Sequence, residues 1–293
     1  MLKSNYQLAP ACAGPDPHTK VPVLKAPKGS CDCHSHILGP LDKYPYVENR
    51  SYTPPVASYE DYTKMLGILG IDRAVVVHPS VYGIDNRVTL EAVKRGGDNF
   101  RGVVVVDENI TPDEIESMNE IGIRGVRVNL LFDGGVEVSV LDKIVKLIEP
   151  FGWHVQLLID VSVFEPFECL MNLPVDVVFD HMGHMHVSKG LNNPGFRKMV
   201  KMIAEGRAWA KLSGAYRISE LDRHPFEDTD IFAKTIIEAN EDRVVWATDW
   251  PHPSVEIDMP NDGDLLDILL RWAPDENLRK KILVDNPAKL YGF

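Results

Sequence analysis

Cysteine is scarce in this chain, and its placement is uninformative for crosslinking. The 293 residues include four cysteines, Cys12, Cys31, Cys33 and Cys169. Cys31 and Cys33 are too close to pair comfortably within a strand, and no Cys-X-X-Cys occurs. A disulfide framework is therefore not expected, and a reducing cytoplasm suits the chain. No run approaches the roughly 18 apolar residues of a membrane span. Residues 1–28 are polar and proline-rich, lack the apolar centre of a signal peptide, and read as an arm laid over the surface. Positive charge is also in deficit: 31 Lys and Arg stand against 43 Asp and Glu, for a formal net charge of −12. Nucleic acid and anionic membrane both require a basic face, so neither is expected as a partner. An arginine in a pocket of such a protein works against the average field and is the more informative for it.

What is present is a repeat of secondary structure. Hydrophobic residues make up 44% and charged residues 25%, ordinary for a globular domain. Apolar runs predict strands over 30–36, 73–80, 102–106, 125–129, 153–159, 177–181, 208–213 and 244–249. Segments of helical spacing separate them. Ser58 caps the first helix and Gly70 ends it, Thr111-Pro112 opens another, and further helices are expected over 86–94, 141–149, 164–171, 195–204, 230–239, 265–271 and 277–284. Eight strands in strict alternation with helices predict a distorted (β/α)8 TIM barrel, for which about 250 residues suffice. The first strand ends in His-Ser-His rather than a glycine-rich phosphate turn, which argues against an open dinucleotide-binding sheet. One barrel domain over 29–293, with the arm 1–28 outside it, is the expected organisation.

In such a barrel the carboxyl ends of the strands share one face. His34 and His36 point the same way from the first strand, with Ser35 opposite. The second strand ends at His78 and Ser80, the fourth at Arg127 and Asn129, and the sixth at Asp180 and His181. The seventh offers Ser213, with Tyr216 and Arg217 just beyond, and the eighth Asp249, with His252 beyond. His154 starts the fifth strand, at the other end of the barrel, and reads as structural. Each residue has a plain alternative: Asp180 as a bond to a helix end, Arg217 as a solvated charge, Asp249 as a cap of the Trp250-Pro251 turn. Together, three imidazoles and a carboxylate permit either a divalent cation that activates water or an Asp249 general base beside imidazoles that polarise a carbonyl.

His34-Ser35-His36, Asp180-His181-Met182-Gly183 and Thr248-Asp249-Trp250-Pro251-His252 resemble the amidohydrolase superfamily (amidohydrolase 2 type), and within it the lactonase branch typified by 2-pyrone-4,6-dicarboxylate lactonase. The resemblance runs from about Gly29 to Phe293 and includes Tyr52-Thr53-Pro54, Arg124-Gly125-Val126-Arg127-Val128-Asn129 and Asn286-Pro287. It implies a hydrolase of carboxylated or sulfonated lactones, with Asp249 activating water and His34, His36 and His181 polarising the carbonyl. It also implies substrate contacts from Tyr52, Ser80, Arg127, Arg217 and His252. It implies turnover that requires no cofactor, with a single divalent metal such as Zn on His34, His36 and Asp249 as the alternative. No lysine ends the fourth strand and no histidine the fifth, so a binuclear centre is not expected. Two positions depart from the branch: Asp133 stands where a second arginine is usual, and Leu158 where a tyrosine is. The competing readings are a metal-dependent decarboxylase of an aromatic or muconate-type acid, a sugar-acid lactone hydrolase or isomerase, and a non-catalytic binding barrel. The expected partner is a small anionic lactone; the sequence carries no signal for the oligomeric state.

Overall fold

A computed structural model of the chain describes residues 9–129, 131, 141–163, 169–170 and 172–293. The helix expected over 164–171 lies largely outside the described residues, and so does Asp133. Eight strands are present: β1 Cys31–Ser35, β2 Arg73–Val77, β3 Phe100–Val104, β4 Ile123–Asn129, β5 His154–Leu158, β6 Val177–Phe179, β7 Ala208–Leu212 and β8 Val244–Trp246. They form one sheet in sequence order, and each neighbouring pair is parallel. The ends of the sheet meet where Ser35 bridges Trp250, with His36 N–H donating to the Trp250 carbonyl at 2.7 Å and Asp249 N–H to the His34 carbonyl at 2.9 Å. The result is the (β/α)8 barrel that the alternation predicts.

The local signals act as expected. The Ser58 hydroxyl accepts from Asp61 N–H at the start of helix Tyr59–Leu69, whose Tyr62, Met65, Leu66 and Leu69 are buried. Thr111 and Glu114 close a capping box ahead of helix Pro112–Ile121. Barrel-facing Cys31, Cys33, Val75, Val77, Val103, Val178, Trp209, Val245 and Ala247 pack into one apolar cluster with Tyr291, and a larger cluster lies between strands and helices. The arm is latched rather than loose. The Asn261 side chain accepts from Lys20 N–H at 2.9 Å and donates to Asp16, while Cys12 N–H donates to the Thr53 carbonyl at 3.1 Å and Thr53 N–H to the Pro10 carbonyl at 2.7 Å. Among the described residues no helix is long and apolar enough to cross a membrane.

Several strands stop two or three residues short of their apolar runs, β2 at Val77 and β3 at Val104 among them, and two of these matter for the site. β6 ends at Phe179 and β8 at Trp246, so His181 and Asp249 stand in loops beyond them. Both take left-handed backbone, with φ of 49° and 69°, which a strand cannot contain. Pairing between β1 and β2 also slips by one residue between Asp32 and Ser35. This bulge resets the alternation, so that Cys31 and Cys33 face the barrel interior and His34 and His36 face it as well.

Asp32 faces outward and joins β1 to the loop after β8. Its carboxylate accepts from Thr248 N–H (2.9 Å), the Thr248 hydroxyl (2.6 Å), the Tyr62 hydroxyl (2.9 Å) and His34 N–H (3.2 Å). Asp32→Ala strands these buried donors at a cost of about 1–3 kcal/mol each. We expect it to lower stability by at least about 3 kcal/mol, read as a fall in the urea midpoint at unchanged slope. A midpoint within error of the parent would show that Asp32 does not hold this seam.

Candidate active site

The β1 bulge and the left-handed turns after β6 and β8 aim four buried side chains at one point. His34, His36 and His181 present Nε2 to Asp249 Oδ1 at 3.8, 3.7 and 3.7 Å. The four are at most 3% exposed. Gly214 makes room for His181: at φ 65° it has no side chain, and a Cβ there would lie 2.9 Å from His181 Cβ. The other ring nitrogens are anchored, His36 Nδ1 at 2.7 Å from the Val77 carbonyl and His181 Nδ1 at 2.9 Å from the Ser213 hydroxyl. Burial pushes the imidazoles down, His36 to about 4, His181 to about 3 and His34 well below its ordinary value, so all three are neutral at pH 7.

Asp249 is divided between its two oxygens. Oδ2 accepts from Arg217 Nε and the Tyr216 hydroxyl, both at 2.6 Å. Oδ1 is buried and accepts no hydrogen bond among the described residues. Burial by itself would raise this carboxyl, but the Arg217 guanidinium, helped by the imidazoles, outweighs it and holds the group well below the usual carboxylate range.

Behind His34 lies a charged cluster that strand-end reasoning did not assemble. Asp180 Oδ1 is 3.1 Å from His34 Nδ1, and Oδ2 accepts from Gln156 Nε2 at 3.1 Å and Arg127 at 3.3 Å. Lys211, fully buried, places Nζ 2.7 Å from Gln156 Oε1, 3.2 Å from His34 Nδ1 and 3.4 Å from Asp180 Oδ1. Asp180 is thus the hub of the site floor rather than a bond to a helix end. The signal for Lys211 lay in Ala208-Trp209-Ala210-Lys211, where alternation from an interior tryptophan puts the lysine inside.

A small cavity of about 10 Å³, room for about one water, opens over this floor. Its lining includes His36, Tyr52, Ser80, Arg127, His181, Arg217 and Asp249 from the expected set, together with His184, Leu158 and Pro253. Tyr52 and Ser80 bond to each other. His184 was not expected; it lies one short turn past His181, again left-handed at φ 52°. Arg127 and Arg217 are both tied to carboxylates, yet Arg127 Nε is buried without a partner among the described residues. His252 lies a layer back, with Nδ1 3.0 Å from the Tyr216 hydroxyl and Nε2 3.1 Å from Asp262 Oδ1, and does not line the cavity. His78 is consumed by Thr89 and the Gly83 carbonyl. His154 sits at the opposite barrel end against Tyr291.

His34, His36 and Asp249 each offer a ligand atom, all within 4.8 Å of one another, and so do His34, Asp180 and His181. The first group fits one divalent cation, because Asp249 Oδ1 lacks a bond and His36 Nε2 carries a bare lone pair. In the second, Arg127 and Lys211 already neutralise Asp180, and a metal there meets two fixed positive charges.

Comparison with known proteins bears on the family and the fold. The family profile described as amidohydrolase matches residues 31–293. The 4-sulfomuconolactone hydrolase of Hydrogenophaga intermedia is 38% identical over 299 residues, which cover 100% of this chain and 98% of that one. The 2-pyrone-4,6-dicarboxylate hydrolase of Comamonas testosteroni is 36% identical over 282 residues, 92% of each chain. A solved apo structure from Agrobacterium tumefaciens is 30% identical, superposes with a TM-score of 0.85, and matches over 93% of this chain and 98% of its own.

Proposed function

The chain belongs to the amidohydrolase family, and from that premise we propose that it opens the ring of a carboxylated or sulfonated lactone by hydrolysis. The observation that carries the reading is the divided Asp249 carboxylate, with Oδ2 fixed by Arg217 and Tyr216 and Oδ1 free before three neutral imidazoles. A water between Oδ1 and the imidazoles can lose a proton to the carboxylate as its oxygen bonds to the lactone carbonyl carbon. A ring N–H of His34 or His181 facing the carbonyl oxygen would stabilise the charge that forms there. Collapse then breaks the carbon–oxygen bond of the ring, and the proton returns to the leaving oxygen. A divalent cation on His34, His36 and Asp249 would, when bound, acidify the water and polarise the carbonyl.

The acidic group of the substrate follows from charge. Arg127, Arg217 and Lys211 surround the site against the carboxylates Asp180 and Asp249, a positive excess inside a protein of net charge −12. Arg127 Nε–H is the free donor that a carboxylate or sulfonate oxygen would take. Leu158 and Pro253 leave an apolar wall beside it.

The test is a panel of acidic and neutral lactones, assayed before and after chelation with metal analysis of the protein. Acidic lactones should be the better substrates. Arg127→Met should raise their KM by about 10–150-fold, the range of a lost hydrogen bond to a charged group. Preferred turnover of neutral sugar lactones, indifferent to Arg127→Met, would overturn the reading. Loss of activity on chelation with recovery on Zn²⁺ would assign His34, His36 and Asp249 as ligands.

A further inference from the structure

We infer that Lys211 is a positioning residue that sets the tautomer of His34, keeping its hydrogen on Nε2, which faces His36 Nε2 and Asp249 Oδ1. The role of that hydrogen in catalysis rests on the lactone reading; the tautomer itself does not.

The argument counts hydrogens. The Val77 carbonyl, 2.7 Å from His36 Nδ1, can only accept, so neutral His36 has its hydrogen on Nδ1 and a bare Nε2. His34 Nε2 lies 3.3 Å from that bare nitrogen. Two lone pairs at this separation repel, whereas a hydrogen on His34 Nε2 makes the contact a hydrogen bond. Neutral His34 then has a bare Nδ1. That atom lies 3.1 Å from Asp180 Oδ1, also an acceptor, and on its own this contact would draw the hydrogen to Nδ1. Lys211 resolves the conflict. Its Nζ is close to three acceptors, His34 Nδ1, Asp180 Oδ1 and Gln156 Oε1, and an amine supplies a hydrogen to Nδ1 while it offsets the carboxylate beside it. Gln156 in turn fixes Asp180 Oδ2, so lysine and carboxylate cannot drift apart.

Without the amine the hydrogen belongs on Nδ1, donated to Asp180. His34 Nε2, His36 Nε2 and Asp249 Oδ1 then form three acceptors with no hydrogen among them, an arrangement that suits a cation rather than a carbonyl oxygen. Lys211 thus biases the centre towards a hydrogen-bond donor and away from a metal trap.

The test is the ¹⁵N spectrum of the His34 imidazole in metal-free protein, assigned with His34→Gln, for the parent, Lys211→Met and Lys211→Arg. The parent should show hydrogen on Nε2, Lys211→Met on Nδ1, and Lys211→Arg should retain the parent pattern. The Zn²⁺ dissociation constant, from competition with a chelator, should fall at least tenfold in Lys211→Met, while metal-free kcat on an acidic lactone falls by about 10²-fold. Hydrogen on Nδ1 in the parent overturns the inference even if the variant fails to fold, and so does an unchanged tautomer in Lys211→Met. If no lactone is turned over, the spectra still decide Lys211 while the functional reading falls separately.

Discussion

Asp249→Asn is expected to lower kcat on an acidic lactone by about 10²–10⁴-fold, the usual contribution of a positioned general base, while the fold and substrate binding survive. The amide keeps the shape of the carboxylate but cannot take a proton from water. Its oxygen can still accept from Arg217 and Tyr216, so the turn after β8 keeps its two anchors. The remaining atom, an NH2 in place of Oδ1, faces imidazoles at 3.7–3.8 Å, far enough to avoid a clash. The alternative role is structural: Asp249 adopts φ 69°, and His252 N–H bonds to its carbonyl at 2.8 Å. Those are backbone features that Asn, tolerant of left-handed conformation, preserves. Kinetics and a thermal melt on the same preparation separate the two. A lowered melting temperature with kcat nearly intact would make Asp249 a structural cap.

Arg217→Met should also cost at least 10²-fold in kcat/KM, and it should change the shape of the pH profile. Burial pushes the Asp249 carboxyl up and Arg217 is the largest opposing influence, so removing the guanidinium lets the carboxyl rise. In the parent, Asp249 stays ionised and the imidazoles stay neutral down to about the His36 value of 4, so kcat should be level from pH 8 to about 5. In Arg217→Met an acid limb should enter that window, because a protonated Asp249 is no base. The sign for stability is different in origin. His36 and His181 lie below their ordinary 6.5, so the unfolded chain takes up their protons first and stability declines as pH falls from about 6.5 towards 3. Rates must therefore be initial rates on folded protein. Superimposable pH profiles for parent and variant would show that Arg217 does not control the base.

Several features of the site were legible from strand ends alone. His36, Ser80, Arg127, His181, Arg217 and Asp249 stand at or just past strand ends and Tyr52 enters through the family resemblance; all seven line one cavity. His252 was grouped with them too, but its ring is spent on Tyr216 and Asp262. Sequence distance could place it near Asp249 without revealing which way the turn points it. The resemblance implies substrate contacts from Arg127 and Arg217 but not their carboxylate partners, Asp180 and Asp249.

The sequence by itself determined the number of strands, their order and parallel sense, and which polar residues arrive at the same rim. These follow from period-two and period-3.6 patterns and from caps, all of which act over a few residues. Only the tertiary structure decided how the charges are shared: Arg217 with Asp249, Arg127 and Lys211 with Asp180, and His34 between Lys211 and Asp180. Those partners are 31 to 177 residues apart, and their contacts depend on barrel closure, on the bulge that turns both Cys33 and His34 inward, and on left-handed turns after β6 and β8. A burial pattern states that a side chain is inside; it takes the closed barrel to bring Lys211 across the floor to His34 and so set the hydrogen that His34 presents.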